Sequence, residues 1–217
     1  MTNNNPCHRR QPPLAATDTE DSDQIKVASP AIERVEAVVM FCDLRDFTTL
    51  SNRLPQDDVI AVLQGYFNLV VPVIEAFGGE VLQLIGDGIL AIFHDCANRN
   101  GPGCARAKDA ATQIQRCLNM CSVAGRTLQA GIALHAGEVI YGEIGAGRRT
   151  SLTVIGPVVN LTSRLETLCH LTGQPILVSS AFARRIGLAN CLYIGRFEFK
   201  GFDESQEVYA PLRQITG

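Results

Sequence analysis

No CxxC pair occurs in this 217-residue chain, although it holds eight cysteines. They scatter through apolar segments, as reduced thiols do when they serve as small hydrophobes in a cytosolic protein. Cys117 and Cys121 stand four apart, but no second Cys/His pair at zinc spacing answers them, so no structural zinc is expected. An excess of charge of one sign is also missing. The formal net charge is −3, which argues against a general nucleic-acid or anionic-membrane surface and leaves room only for a local basic cluster. No window of about 18 residues is apolar without polar breaks. The nearest approach, residues 59–77, is broken by Gln64, Asn68, Pro72 and Glu75, so no transmembrane segment is expected. The N-terminus lacks the apolar core of a signal peptide. The chain has no internal repeat. Together these absences lead us to expect a cytoplasmic protein.

What is present is one domain's worth of core, with 46% hydrophobic residues. Residues 1–32 are rich in Asn, Pro, Thr, Ser and Asp, include the acidic run "DTEDSD", and read as a flexible leader. The folded domain is expected over 33–217. "VEAVVMFCDL" (35–44) reads as a buried strand. "PQDDVIAVLQGYFNLVVPVIEAFGG" (55–79) opens on Pro and acids and closes on Gly-Gly, the start and stop signals of a helix. "EVLQLI" and "ILAIFH" flank "GDG" and predict a hairpin. A second long helix is expected over 102–125. Residues 127–145 read as two strands meeting near Gly137. A short strand (151–155), a third helix (156–173) with Pro157 in its first turn, and a β/α extension follow. The order predicts an α+β sandwich: a ferredoxin-like βαββαβ core with a C-terminal β/α extension.

Two acids stand out against this pattern. Asp43 ends the first strand, and Asp87 sits between two glycines in the turn of the next hairpin, amid the apolar run "EVLQLIGDGILAIF". In a ferredoxin-like sheet those two strand ends are neighbours. Two carboxylates at one edge repel unless a cation lies between them, and a hard divalent ion would relieve that conflict. An ordinary hairpin turn with a solvated Asp is the alternative. "DFTTLS" starts a helix just beyond Asp43, where the amides of Phe47 and Thr48 would suit phosphate oxygens; Asp46 or Thr48 acting merely as a cap is the other reading.

Four segments in register resemble the class III nucleotidyl cyclases: "VVMFCDLRDFTTLS", "FGGEVLQLIGDGILAIF", "AGIALHAGEVIYGEIGAGRR" and "TVIGPVVNLTSRLE". The resemblance spans about 33 to 212. It looks most like the bacterial adenylyl cyclase subgroup that carries Thr at the base-specifying position. It implies a homodimer with composite sites and two Mg²⁺ or Mn²⁺ ions per site. Asp43 and Asp87, with the backbone carbonyl of Leu44, match the metal ligands. Asn160 and Arg164, contributed by the other subunit, match the pair that positions the ribose and stabilises the transition state. Their spacing puts them on one helix face. Arg148 matches the cation for the triphosphate, and Lys200 a phosphate contact near the C-terminus. Gln83 and Thr153 match the base-specifying pair. The implied reaction converts ATP to 3′,5′-cyclic AMP and pyrophosphate.

The pattern is broken at two positions. Gln83 stands where adenylyl cyclases usually have Lys and guanylyl cyclases Glu; an amide can serve either base by flipping, so a guanylyl or dual-specificity cyclase is an alternative. Asp46 replaces the usual Gly, an extra carboxylate near a triphosphate, and is expected to point away as a helix cap. With Gln83, it motivates a second alternative, a catalytically silent cyclase-like dimerisation module. His94 and His135 are expected to be core or edge residues rather than ligands.

Overall fold

The computed structural model describes residues 32–95, 102–146 and 149–212; residues 1–31 of the leader expected over 1–32 lie outside them, and Ile32 already belongs to the first strand. Strand β1 (Ile32–Leu44) is followed by the short helix α1 (Phe47–Ser51) and by α2 (Gln56–Ala76). Strands β2 (Glu80–Ile85) and β3 (Gly88–His94) form a hairpin before α3 (Gly103–Met120). Strands β4 (Ala130–Ala146) and β5 (Arg149–Ile155) form a second hairpin. Then come α4 (Pro157–Thr172), β6 (Ile176–Ser179), α5 (Ser180–Ile186), β7 (Cys191–Phe197) and β8 (Gln206–Pro211). The sheet order is β2-β3-β1-β4-β6-β8-β7, with β5 paired to β4 beside that path. Its first four strands have the ferredoxin-like order that the sequence predicts.

Alternation along β1 explains the two layers. Val38, Met40 and Cys42 point to one face and pack with Val62, Tyr66, Val70 and Ile74 of α2 and with the apolar side of α3. Ala37 and Val39 point to the other face, in a smaller cluster with Leu90, Ile92, Val139, Val154 and Val158. Asp43 shares the parity of this second face. Helix α2 is long and apolar enough, with mean hydropathy 1.7, to meet the length and composition of a membrane span, which the sequence reading did not expect. Here it spends one stripe at four-residue spacing on the sheet and carries Asp57, Asp58 and Pro72.

Two expected elements differ. Residues 130–146 are one strand, not two, because β1 pairs with β4 without a break from Ile32↔Gly142 to Leu44↔Ala130. Gly137 serves close packing instead of a turn: a Cβ there would meet Val158 Cγ2 at 2.9 Å. Helix α3 stops at Met120, five residues short of the glycine expected to end it. The chain turns extended at Cys121, and Val123 and Arg126 close a tight turn with Ala124 and Gly125 at positive φ.

His94 and His135 each meet a polar side chain of a neighbouring strand. His94 Nε2 lies 3.3 Å from Glu80 Oε2. His135 Nδ1 lies 2.6 Å from the hydroxyl of Ser179, whose oxygen also accepts from the Phe182 amide to cap α5. Burial, then the Arg185 charge, push the His135 imidazole down to about 4. A histidine lowered in the folded state adds stability above its ordinary value and loses it as pH falls toward the lowered one. Unfolding free energy measured between pH 7 and 4 should therefore fall by about 3 kcal/mol more in the wild type than in His135→Gln. Carboxyls that titrate in the same range are common to both proteins and cancel in the difference.

Candidate active site

The hairpin turn at Gly86-Asp87 is tight because Gly86 adopts φ 63°. Gly88 leaves room for a neighbour: a Cβ there would sit 3.4 Å from Asp43 Oδ1. Asp43 and Asp87 consequently line the same cleft, close enough for the Asp87 charge to act on Asp43. Burial, then the Asp87 charge, push Asp43 up to about 7, with the Leu44 amide pulling the other way. Asp43, Leu44, Asp87, Phe47 and Thr48 line one cleft of about 240 Å³, so the structure gathers five predicted residues in one place. Thr49, Asp46 and His170 complete its wall.

Asp46 corrects the expectation. It stands at the N-cap position of α1, but its side chain makes no capping hydrogen bond. An N-cap residue normally has an extended backbone that aims its side-chain oxygen at the next amides. Asp46 is left-handed, φ 57° and ψ 20°, and its exposed carboxylate belongs to the cleft wall.

Behind the cleft, Arg45 donates from Nη2 to the carbonyls of Gln174 at 2.6 Å and Cys169 at 3.2 Å, and from Nη1 to Gly173 at 3.5 Å. It thereby ties the end of β1 to the C-terminus of α4. Glu166 of α4 is a third carboxyl close by. Burial, then the Asp87 charge, push it up to about 7 against the opposing pull of Arg45. Glu166 and His170 escape sequence reasoning because their relevance depends on α4 crossing the end of β1. Their only local signal is the four-residue spacing that puts them on one side of α4.

The other predicted residues lie elsewhere. Gln83 of β2 donates from Nε2 to Thr153 Oγ1 of β5 at 3.1 Å, so the expected base pair of residues meets within one chain. Asn160 and Arg164 are both exposed on α4, four residues apart, with no side-chain hydrogen bond or ion pair among the described residues; neither lines the cleft. Lys200 is exposed in the 198–205 segment, which surrounds a separate surface pocket of about 660 Å³. Arg148 lies outside the described residues.

The donor set fits a hard divalent cation. Two facing carboxylates, one of them held high by burial and repulsion, gain most from a charge of the opposite sign. Among the described residues no cluster of three acidic, His or Cys side chains is arranged to hold a metal. Remaining coordination positions would fall to backbone, water or ligand oxygens, as such ions accept.

Comparison with known proteins identifies the family of the domain. Residues 30–210 match the family model described as "Adenylate and Guanylate cyclase catalytic domain". The terminal-differentiation-specific adenylate cyclase of Dictyostelium discoideum is 31% identical over 178 residues, covering 79% of this chain and 8% of that protein. The adenylate cyclase of Anabaena cylindrica is 28% identical over 200 residues, covering 86% and 38%. The chain thus spans well under half the length of these curated relatives. Among solved structures, the guanylyl cyclase Cya2 superposes with a TM-score of 0.71 at 29% identity, over 85% of this chain and 96% of that one. The adenylyl cyclase CyaB from P. aeruginosa gives 0.74 over 86% and 99%; at 24% identity it speaks for the fold. With the match running through almost every described residue, the chain belongs to the adenylate and guanylate cyclase catalytic domain family.

Proposed function

We propose that this domain is an adenylyl cyclase, converting ATP to 3′,5′-cyclic AMP and pyrophosphate at composite sites of a homodimer. The observation that carries the reading is the facing pair Asp43 and Asp87 in a cleft beside the start of α1. The ribose 3′-hydroxyl gives its proton to solvent as its oxygen bonds to the α-phosphorus, the bond from that phosphorus to the oxygen bridging to the β-phosphate breaks, and pyrophosphate leaves with those electrons. Asp43, Asp87 and the Leu44 carbonyl would hold Mg²⁺ or Mn²⁺, two ions per site. Such ions lower the pKa of the attacking hydroxyl and neutralise triphosphate charge. The Phe47 and Thr48 side of the cleft would take phosphate oxygens. Arg148 and Lys200 would meet the outer phosphates. Asn160 and Arg164, exposed and without side-chain partners among the described residues, would reach the partner's cleft to orient the ribose and stabilise charge on the phosphoryl group. A cytoplasmic location belongs to the same proposal, supported by the unpaired thiols of the six described cysteines.

ATP is favoured because the two relatives above are adenylate cyclases, and because the Gln83 amide suits adenine. With one N–H engaged on Thr153, the amide retains a second N–H for a ring nitrogen and Oε1 for the exocyclic amino group. A guanine edge can also be met by this pair, and Cya2 is a guanylyl cyclase, so GTP use is the second reading. Purified protein assayed with Mn²⁺ and either ATP or GTP, beside Asp43→Ala, tests both. Cyclic nucleotide no higher than in that control overturns the enzymatic reading. Nucleotide binding without turnover would instead support a silent module. In the same assay Gln83→Lys should raise the ATP:GTP ratio of kcat/KM by about tenfold, since an ammonium can only donate to adenine. An unchanged ratio would place Gln83 outside the base pocket.

Asp46 adds a prediction of its own. Asp46→Gly removes a left-handed non-glycine residue and a carboxylate from the cleft wall. It should stabilise the domain by about 0.5–1 kcal/mol in urea titration and lower the KM for nucleotide. A higher KM would show that the carboxylate assists binding.

A further inference from the structure

Glu80 and Gln83 are three residues apart on β2, a spacing that puts side chains on opposite faces of a regular strand. Both nevertheless reach the β4–β5 hairpin. Gln83 meets Thr153 of β5, and Glu80 Oε1 accepts from the Tyr141 hydroxyl of β4 at 2.9 Å. The reason is a bulge. Val81 pairs with Ala91 and Gln83 with Leu90, so Leu82 is the extra residue and the strand's parity flips there. Glu80 Oε2 also meets His94 Nε2 at 3.3 Å, and the His94 ring packs edge-on against Tyr141 with centroids 5.2 Å apart. Tyr141 adjoins Gly142, the register partner of Thr153. The hairpin is therefore tied to the edge strand at two places on one side of β2.

The geometry points to Glu80 as a positioning residue for base selection. By holding Tyr141 and His94 together it fixes the β4–β5 hairpin over β2, so that Gln83 and Thr153 are presented as one pre-oriented unit. Without this tie Thr153 recedes, and the Gln83 amide loses the partner that sets its orientation. The inference rests on the proposal that Gln83 and Thr153 read the base. Glu80 itself touches neither the cleft nor that pair.

The test compares wild type, Glu80→Ala, Glu80→Gln, Tyr141→Phe and the Glu80→Ala/Tyr141→Phe double variant, with Gln83→Ala as control. Initial rates with ATP and GTP are combined with hydrogen exchange of the β5 amides. Glu80→Ala and Tyr141→Phe should each shift the ATP:GTP ratio of kcat/KM toward unity by about fivefold, the worth of one net hydrogen bond. kcat with the preferred nucleotide should stay within about twofold. The double variant should be no worse than either single, because both break one tie. Glu80→Gln keeps an acceptor for Tyr141 and should restore the ratio, which a merely structural loss of charge would not do. An unchanged ratio in both single variants, with Gln83→Ala shifting it, overturns the inference. If Gln83→Ala shifts nothing, or the wild type makes no cyclic nucleotide, the base-reading proposal fails, and exchange decides the tie alone. Faster exchange across β5 in Glu80→Ala, reversed in Glu80→Gln, supports it. Equal exchange in all variants overturns it.

Discussion

Replacing Asp87 with alanine is expected to reduce cyclic-nucleotide formation by about a thousandfold, roughly the several kcal/mol that a metal-held charge contributes to such a transition state. The same should hold for Asp43→Ala, because the two carboxylates face each other across one cleft and act as a unit. The double variant should then be little worse than either single. Loss of fold cannot account for the effect, since removing one of two mutually repelling carboxylates relieves the metal-free protein. At pH 8 without metal, Asp87→Ala should unfold at a urea concentration no lower than wild type. Initial rates with Mn²⁺ and urea midpoints measure the two halves. A rate within tenfold of wild type would remove these acids from the catalytic centre.

Arg164→Ala should lower kcat by about 10²–10³-fold, the range seen when one donor to transition-state charge is removed. KM should change far less, because the charge develops after binding. The structure adds a sharper test. Arg164 and Asn160 are exposed, lack side-chain partners among the described residues, and stand apart from the residues lining the Asp43–Asp87 cleft. If a second copy supplies them, neither Asp43→Ala nor Arg164→Ala should be active alone, yet mixing them should recover activity. Random pairing makes about half the dimers mixed, each with one complete site of two, so about a quarter of the wild-type rate should return. No recovery from subunits shown to exchange would mean that each chain completes its own site.

The elements whose signals are local were legible in residue order. Helix α2 announces itself through Pro55, its early acids and Gly78-Gly79, and the β2–β3 hairpin through Gly86-Asp87-Gly88. Asp43 and Asp87 stood out in residue order too, because a carboxylate beside or inside an apolar run has a limited set of explanations. Readings failed where a distant segment outweighed the local signal. Gly137 looks like a break, but thirteen residues of β1 hold β4 straight through it. Asp46 looks like a cap, but its left-handed backbone turns the carboxylate to the cleft wall.

Residue types and their spacing thus sufficed for the helices, the β2–β3 hairpin and the shared helix face of Asn160 and Arg164, since each depends on periodicity within one segment, and the order of those elements carried the fold class. Tertiary structure alone decided that Glu166 and His170 stand beside the cleft, and that a bulge at Leu82 turns Glu80 and Gln83 to one side. Those facts depend on where α4 crosses β1 and on how β2 registers with β3. Packing and pairing between segments far apart in the chain set both, and no local pattern encodes them.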